Sequence, residues 1–512
     1  MHRLVAIGDS LTQGFKSGSI LETNLSYPAI LAWEMGLGED EFRYPAFAGH
    51  GGLPLNIEYV LRRLDREFGE DVDWYELPLA AFHLRRWMDE IEDYWERGPG
   101  AAPLKYSGPY HNLAVWGFEI QDAYQLTAAM CQAMTEKSTD DWLRQVPEYS
   151  MFRTALRVLN PSGSQAEAHR NATQISRARQ LALDGGIENL VVFLGANNVL
   201  GTVTSLQCRE SAEKDAATPN PANRRANFYR LEDYDVVLSR LVEEVEKLGQ
   251  DGGRVERVFW GTVPPVTIPP VTRGVGGRMD GDQGLPSPYG DGDDPRWFRR
   301  YFRYYTRPWI PEKRFDPRED PHLPGVRMME IDHRIARYNE LLQEKVRLHN
   351  DRRRAAGHAP DWLLVDLHQV LERLAYRRYR EDLSVPPPPG WSPYELPEAL
   401  EALELDTRFL MGRQGKRMQG GFFSLDGIHP TTAGYGLVAQ EFINVMQAAG
   451  VPFHWGDGKT PRQPPVRVDF GRLVRLDSLM GRLPATLDDM WERLEDGDQL
   501  LDLFKRAFAW AR

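Results

Sequence analysis

Short apolar runs, each followed by a helical pattern, narrow the fold of this chain more than any other feature. They are Arg3–Gly8, Asn112–Val115, Asn189–Leu194, Arg257–Thr262 and Trp362–Val365, all rich in Val, Leu, Ile or Phe. Runs of this kind, apolar without alternation, are strands buried on both faces. Helical spacing of apolar residues marks Tyr27–Met35, Gln165–Leu183, Leu231–Leu248, Val326–Leu348, Leu367–Arg377 and a stretch after Pro430 through Phe442. Parallel strands need crossover connections, and helices supply them. The alternation therefore predicts an α/β fold, a parallel sheet with helices on both faces.

The core elements lie far apart in places, so the 512 residues read as one core with long insertions. The core spans about 1–450, interrupted at about 39–110, 132–164 and 264–324, and a helical extension follows at 455–512. The first insertion carries two helical patterns, Asn56–Phe68 and Leu79–Trp95, and the extension ends in an amphipathic helix, Leu487–Trp510. Insertions on such a sheet often wall its carboxyl edge. The net charge of −12 offers no basic field for tracking phosphates, which excludes a dedicated nucleic-acid binder. Two cysteines, Cys131 and Cys208, exclude a disulfide framework and fit a reducing compartment. Leu4–Ile7 is shorter than a secretory apolar core of roughly 7–15 residues. The uncharged stretch Asn189–Cys208 is broken by Gly195, Asn197, Asn198 and Gly201. A cytoplasmic chain with no membrane span is expected.

Four short motifs carry the chemistry. Gly8-Asp9-Ser10-Leu11 follows the first strand, where open α/β sheets place their ligands. Ser10 there is either a nucleophile or a cap for the next helix. Asp426-Gly427-Ile428-His429-Pro430 sets a carboxylate and an imidazole three residues apart on one loop. Asp426 can orient His429 and stabilise its cation, or the pair can simply brace the loop. Gly195-Ala196-Asn197-Asn198 ends another strand, with amides that could donate to an oxyanion or close an Asx turn. Asn112-Leu113-Ala114-Val115-Trp116-Gly117 ends in a glycine whose N–H can closely approach a substrate, or that merely turns the chain.

Together and in this order, the motifs resemble those of the SGNH, or GDSL, hydrolases. Ser26-Tyr27-Pro28-Ala29-Ile30-Leu31-Ala32 is also similar to the first helix of lipase-like members. The resemblance spans about residues 1–450 without the insertions, and implies a flavodoxin-like three-layer α/β/α sandwich. It implies a serine ester hydrolase, lipase-like or esterase-like, that forms an acyl-enzyme on Ser10. His429 is then the base, Asp426 its orienting acid, Asn197 a side-chain oxyanion donor, and Ser10 and Gly117 backbone donors. Asn198 stands where the family usually has Asp. Phe47-Ala48-Gly49-His50-Gly51-Gly52 is a second candidate for the glycine block, through Gly51. The substrate implied is a small-molecule or lipid ester, with no cofactor and no metal. An acyltransferase or a carbohydrate acetylesterase would use the same residues, and an inactive ligand-binding module would keep only the fold.

Other patterns are weaker. The histidines show no zinc-protease spacing, and no dinucleotide or P-loop glycine motif occurs. The acidic groups Asp280-Gly281-Asp282 and Asp291-Gly292-Asp293-Asp294 miss the calcium-loop spacing, since Leu285 stands where glycine is required. The run Trp297-Phe298-Arg299-Arg300-Tyr301-Phe302-Arg303-Tyr304-Tyr305 reads as a helix anchoring an insertion by its aromatic face, or as a wall for the substrate.

Overall fold

Four of the five expected strands pair side by side: β1 (Val5–Gly8), β2 (Ile187–Phe193), β3 (Val255–Gly261) and β4 (Trp362–Val365). All pairings are parallel, in the order β1-β2-β3-β4. The computed structural model describes residues 1–69, 77–138, 146–281, 284–290, 294–485 and 487. The helix expected over Leu487–Trp510, and the acidic positions Asp282, Asp291 and Asp293, lie outside the described residues apart from Leu487 itself.

The fifth run, Asn112–Val115, forms no strand. It lies beside the free edge of β1, held by Leu113 N–H to Ala6 O at 2.9 Å and Val115 N–H to Gly8 O at 3.2 Å. The Leu113 carbonyl is taken by Gln174 Nε2 at 2.9 Å and not by an N–H of β1, while the Asn112 carboxamide braces the segment from outside the ladder: its Oδ1 accepts the Ala114 N–H at 3.1 Å, and its Nδ2 donates to Thr12 O at 2.9 Å.

The helices that matter here are α1 (Ser10–Gln13), α2 (Tyr27–Glu34), α3 (Gln174–Leu183), α4 (Asn197–Ser205), α5 (Leu231–Leu248), α6 (Gly325–Ala355), α7 (Leu367–Leu374) and α8 (Thr432–Ala448). Successive strand residues go to opposite cores. Val5, Ile7, Leu190, Val192, Val258 and Trp260 pack with Ile175, Val237 and Ile335 from α3, α5 and α6. Ala6, Val191, Phe193 and Phe259 pack instead with Ile30, Leu371 and Phe442 from α2, α7 and α8. Two buried faces explain why the strands read as unbroken apolar runs.

Several helix boundaries differ from expectation. The pattern from Gln165 breaks because Thr173 caps a new start: its hydroxyl accepts the Ser176 N–H at 3.1 Å and Ser176 Oγ accepts the Thr173 N–H at 2.8 Å. Helix α6 runs past Leu348 to Ala355, carried by charge pairs such as Arg347–Asp351 at 2.7 Å and Arg354–Asp351 at 2.8 Å. Helix α7 stops at Leu374, before a π-turn over Tyr376–Arg380.

The insertions build walls. Helices Ile57–Phe68 and Leu77–Glu96 form a separate core that includes Phe15, Trp116 and Leu425. The 264–324 segment folds as an antiparallel sheet of Arg273–Arg278, Phe302–Thr306 and His322–Pro324. Its aromatic run is therefore a 3₁₀ turn followed by a strand, not a helix. Trp297, Phe298, Tyr301 and Tyr305 are buried in the main core, which is the anchoring arrangement. Cys131 is buried, Cys208 half-buried, and both are free. No helix of the described residues is long and apolar enough to cross a membrane.

Beyond β2 the chain turns at Gly195, whose φ is +118°. A Cβ there would lie 2.5 Å from Tyr234 Oη and 2.9 Å from Val263 Cγ2. Gly195→Ala combines a strained backbone with an overpacked core, and is expected to lower stability by at least about 1 kcal/mol. Urea unfolding followed by circular dichroism checks this; an unchanged midpoint would mean that the turn tolerates a side chain.

Candidate active site

The carboxyl edge of the sheet gathers the singled-out residues. Gly8 pairs with Phe193, so β1 and β2 end level with each other and deliver Asp9-Ser10 and Asn197-Asn198 to one place. Asp9 caps α1, its Oδ1 accepting the Leu11 N–H at 3.1 Å. Ser10 is the first residue of that helix and only 5% exposed. Its Oγ lies 2.9 Å from His429 Nε2. On the other side of the ring, His429 Nδ1 lies 3.0 Å from Asp426 Oδ2. With Nδ1 protonated, the ring donates to Asp426 and its Nε2 accepts the Ser10 hydroxyl proton.

The Asp426 carboxylate is held from several directions. Its Oδ1 accepts N–H groups from Ile428 and His429, each at 2.8 Å. Its Oδ2 also accepts the Gly18 N–H at 3.1 Å. Burial alone would raise this carboxyl. The charge of His429 and the hydrogen bonds from the ring and loop N–H groups outweigh that effect and hold it below its ordinary value. Asp426 thus stays an acceptor, fixing the ring. Phe15 packs on the imidazole with ring centroids 4.5 Å apart. Ser17 N–H donates to Ser424 Oγ at 2.9 Å, tying the same loop to the start of the chain.

Asn197 opens α4, and its Nδ2 donates to Phe118 O at 2.9 Å and to Asp9 Oδ2 at 3.3 Å. Asn198 is fully buried and braces the loop that supplies Phe118. Its Oδ1 accepts the Ile120 N–H at 3.1 Å and its Nδ2 reaches Gln121 Oε1 at 3.3 Å. An amide both accepts and donates here, a combination that an ionised Asp could not provide. A buried ion cluster holds that loop in turn: Arg224 reaches Glu119 at 2.5 Å and also pairs with Asp122.

Gly117 has φ of +79° and stands at the end of the segment beside β1. The Trp116 N–H just before it donates to Gln13 Oε1 at 2.8 Å, which ties this turn to α1. Neither the Ser10 N–H nor the Gly117 N–H has a protein acceptor among the described residues. Gly51 instead turns against the Tyr59 ring, and its carbonyl accepts the Ser19 hydroxyl at 3.2 Å. Of the two glycine candidates, the structure thus brings Gly117 to the edge where Ser10 sits.

Three contributors were not foreseen. Gln174 of α3 donates to Gly8 O at 2.8 Å and Leu113 O at 2.9 Å, stitching β1 to the edge segment. Its only signal was a polar residue on an apolar helix face. Gly18 reaches Asp426 across 408 positions, and no local pattern marks it. The sequence offered Ser10 as the cap, but Asp9 caps α1, and its second oxygen also holds Asn197. Among the described residues no group of three His, Cys, Asp or Glu side chains is placed to hold a metal ion.

Asp9 adds a pH dependence. Burial pushes its carboxyl from an ordinary 3.8 up to about 7, against the opposing effects of the Leu11 N–H and the His429 charge. Between those values the folded chain carries a proton that the unfolded chain has lost, so this group's contribution to stability falls as pH rises toward about 7. Asp9→Asn removes that contribution. Relative to the variant, the parent should therefore lose melting temperature between about pH 4 and pH 7. Parallel melting curves across that window would show that Asp9 titrates normally. No protein-family model, curated protein or solved structure matches the chain.

Proposed function

We propose that this chain is a serine ester hydrolase with an SGNH-type core, acting through an acyl-enzyme on Ser10. One observation carries the reading: Ser10 Oγ, His429 and Asp426 form a continuous hydrogen-bonded chain, with separations of 2.9 and 3.0 Å. A hydroxyl, a base and an orienting carboxylate in that order are a nucleophile with its activating pair. The sheet order lends support. With Asn112–Val115 beyond β1, the segments run in the flavodoxin-like order, which places ligands at the carboxyl edge.

In the proposed reaction His429 Nε2 takes the Ser10 proton as Oγ attacks the ester carbonyl. The Ser10 and Gly117 N–H groups and Asn197 Nδ2 receive the developing oxyanion. The longer of the two Asn197 bonds, to Asp9 at 3.3 Å, is the one exchanged for it. His429 then returns the proton to the departing alkoxide. Water, activated by the same imidazole, releases the acid from Ser10.

The test is a panel of nitrophenyl esters of increasing acyl length, with a fluorophosphonate label on Ser10. Ser10→Ala should abolish labelling and reduce kcat by at least about 10³-fold without a loss of fold. If the variant keeps a tenth or more of the parent turnover, Ser10 is not the nucleophile. Asn197→Ala should lose roughly 10²–10³ in kcat, the scale of one oxyanion donor. Asn198→Ala should lower the melting temperature and cost less turnover. The reverse ranking in kcat would exchange the roles of the two asparagines.

A further inference from the structure

The 264–324 insertion makes a second feature beside the base loop. Its strands and the turn after α7 border a partly open cavity of about 40 Å³ lined by Thr267, Thr272, Arg278, Arg300, Arg377 and Arg378, with Phe302 and Tyr305 among the apolar walls. A water molecule needs about 10–15 Å³ by this measure, so the space suits roughly three waters or one small polyatomic ion.

Its polar groups are unevenly matched. Arg378 is balanced, at 3.0 Å from Asp332 and 2.9 Å from Glu372. Among the described residues Arg278 donates only to carbonyls, Arg300 O at 3.2 Å and Arg377 O at 2.8 Å. Among the described residues no carboxylate lies within ion-pair distance of Arg278 or Arg377, and the Arg377 guanidinium donates no hydrogen bond. The acids whose charge acts on Arg377 are Glu381 and Asp406, and Asp406 is already paired with Arg408 at 2.6 Å. Thr272 is 5% exposed, and its buried hydroxyl has no hydrogen-bond partner among the described residues. Both residues are half-buried, and this partial loss of water pushes the Arg278 and Arg377 guanidiniums below their ordinary values. The cavity thus offers donors and positive charge with too few acceptors to match.

We infer that this cavity is a binding site for one tetrahedral oxoanion, a phosphate or sulfate group, held by Arg278, Arg377 and Thr272. Planar guanidiniums pair with such oxygens two at a time, and a hydroxyl can complete the shell. The site is joined to the proposed catalytic loop. Val271, next to Thr272, donates its N–H to Gly427 O at 2.9 Å, between Asp426 and His429. The anion is then either a charged group of the ester substrate or a free ion. That second step rests on the hydrolase reading; anion binding itself does not.

The full chain is titrated with inorganic phosphate, against chloride at matched ionic strength, by calorimetry and thermal melting. Saturable binding with a rise in melting temperature is expected. Arg377→Gln should weaken it about tenfold or more. Thr272→Val, which keeps the side-chain shape, should weaken it less, and Arg377→Lys should recover part of the loss. A phosphate effect no larger than that of chloride would overturn the site, as would equal saturation in the parent, Arg377→Gln and Thr272→Val. The source of the anion is read from ester turnover. Phosphate that competes with a phosphorylated nitrophenyl ester, raising KM alone, marks the anion as the substrate's own. Phosphate that changes turnover of a neutral ester without competing marks a free ion. Saturable phosphate binding with no ester turned over would leave the anion site standing and remove the hydrolase reading.

Discussion

The parallel pairing of β1 with β2 underlies everything at the candidate site. With Gly8 opposite Phe193, two strands of unrelated sequence end at one level. The residues that follow, Asp9-Ser10 on one and Asn197-Asn198 on the other, then meet without any long side chain having to reach. Both faces of those strands are buried, so a one-residue slip would exchange the two cores and is strongly disfavoured. Gln174 adds a second lock, binding the carbonyls of Gly8 and Leu113 from below. Hydrophobic burial thereby sets positions that hydrogen bonds at the edge only refine.

The elements easiest to read were those whose identity follows from their own residues. Helix α5 begins and ends at Leu231 and Leu248, as its apolar spacing implies, and β4 occupies Trp362–Val365. Ser10, Asp426 and His429 were legible because each motif sits on a strand end or a short loop, and the structure joins them. Features set by partners elsewhere were not legible. Asn112–Val115 has strand composition, yet Gln174 takes the Leu113 carbonyl that would pair with β1. Helix α6 outlasts its apolar pattern because charge pairs continue it. The aromatic run 297–305 has helical and strand formers alike, and its strand forms against Arg273–Arg278. The arginine-lined cavity draws on residues from 267 to 407, a set that no window along the chain contains.

Under the proposed reaction, the oxyanion donor Asn197 is occupied at rest without being blocked. Both N–H bonds of the Asn197 amide are already made, one short to Phe118 and one long to Asp9. The long bond orients the amide, and it is the weaker of the two to give up. Asn198, Gln121 and the Arg224 cluster hold the Phe118 loop steady beneath it. A donor kept aligned by a yielding partner needs little reorganisation when a better acceptor arrives.

Ser10 and His429 stand 419 positions apart along the chain, and Gly18 and Asp426 stand 408 apart. During synthesis the serine emerges 419 positions ahead of His429 and so without that imidazole beside it. It acquires that partner only after the loop at 426–429 has left the ribosome and docked on the beginning of the chain. Chains emerge at about 5–20 residues per second, so the interval is on the order of tens of seconds. A truncated or stalled product that ends before that loop would carry the hydroxyl but none of the groups that bond to it from the far end.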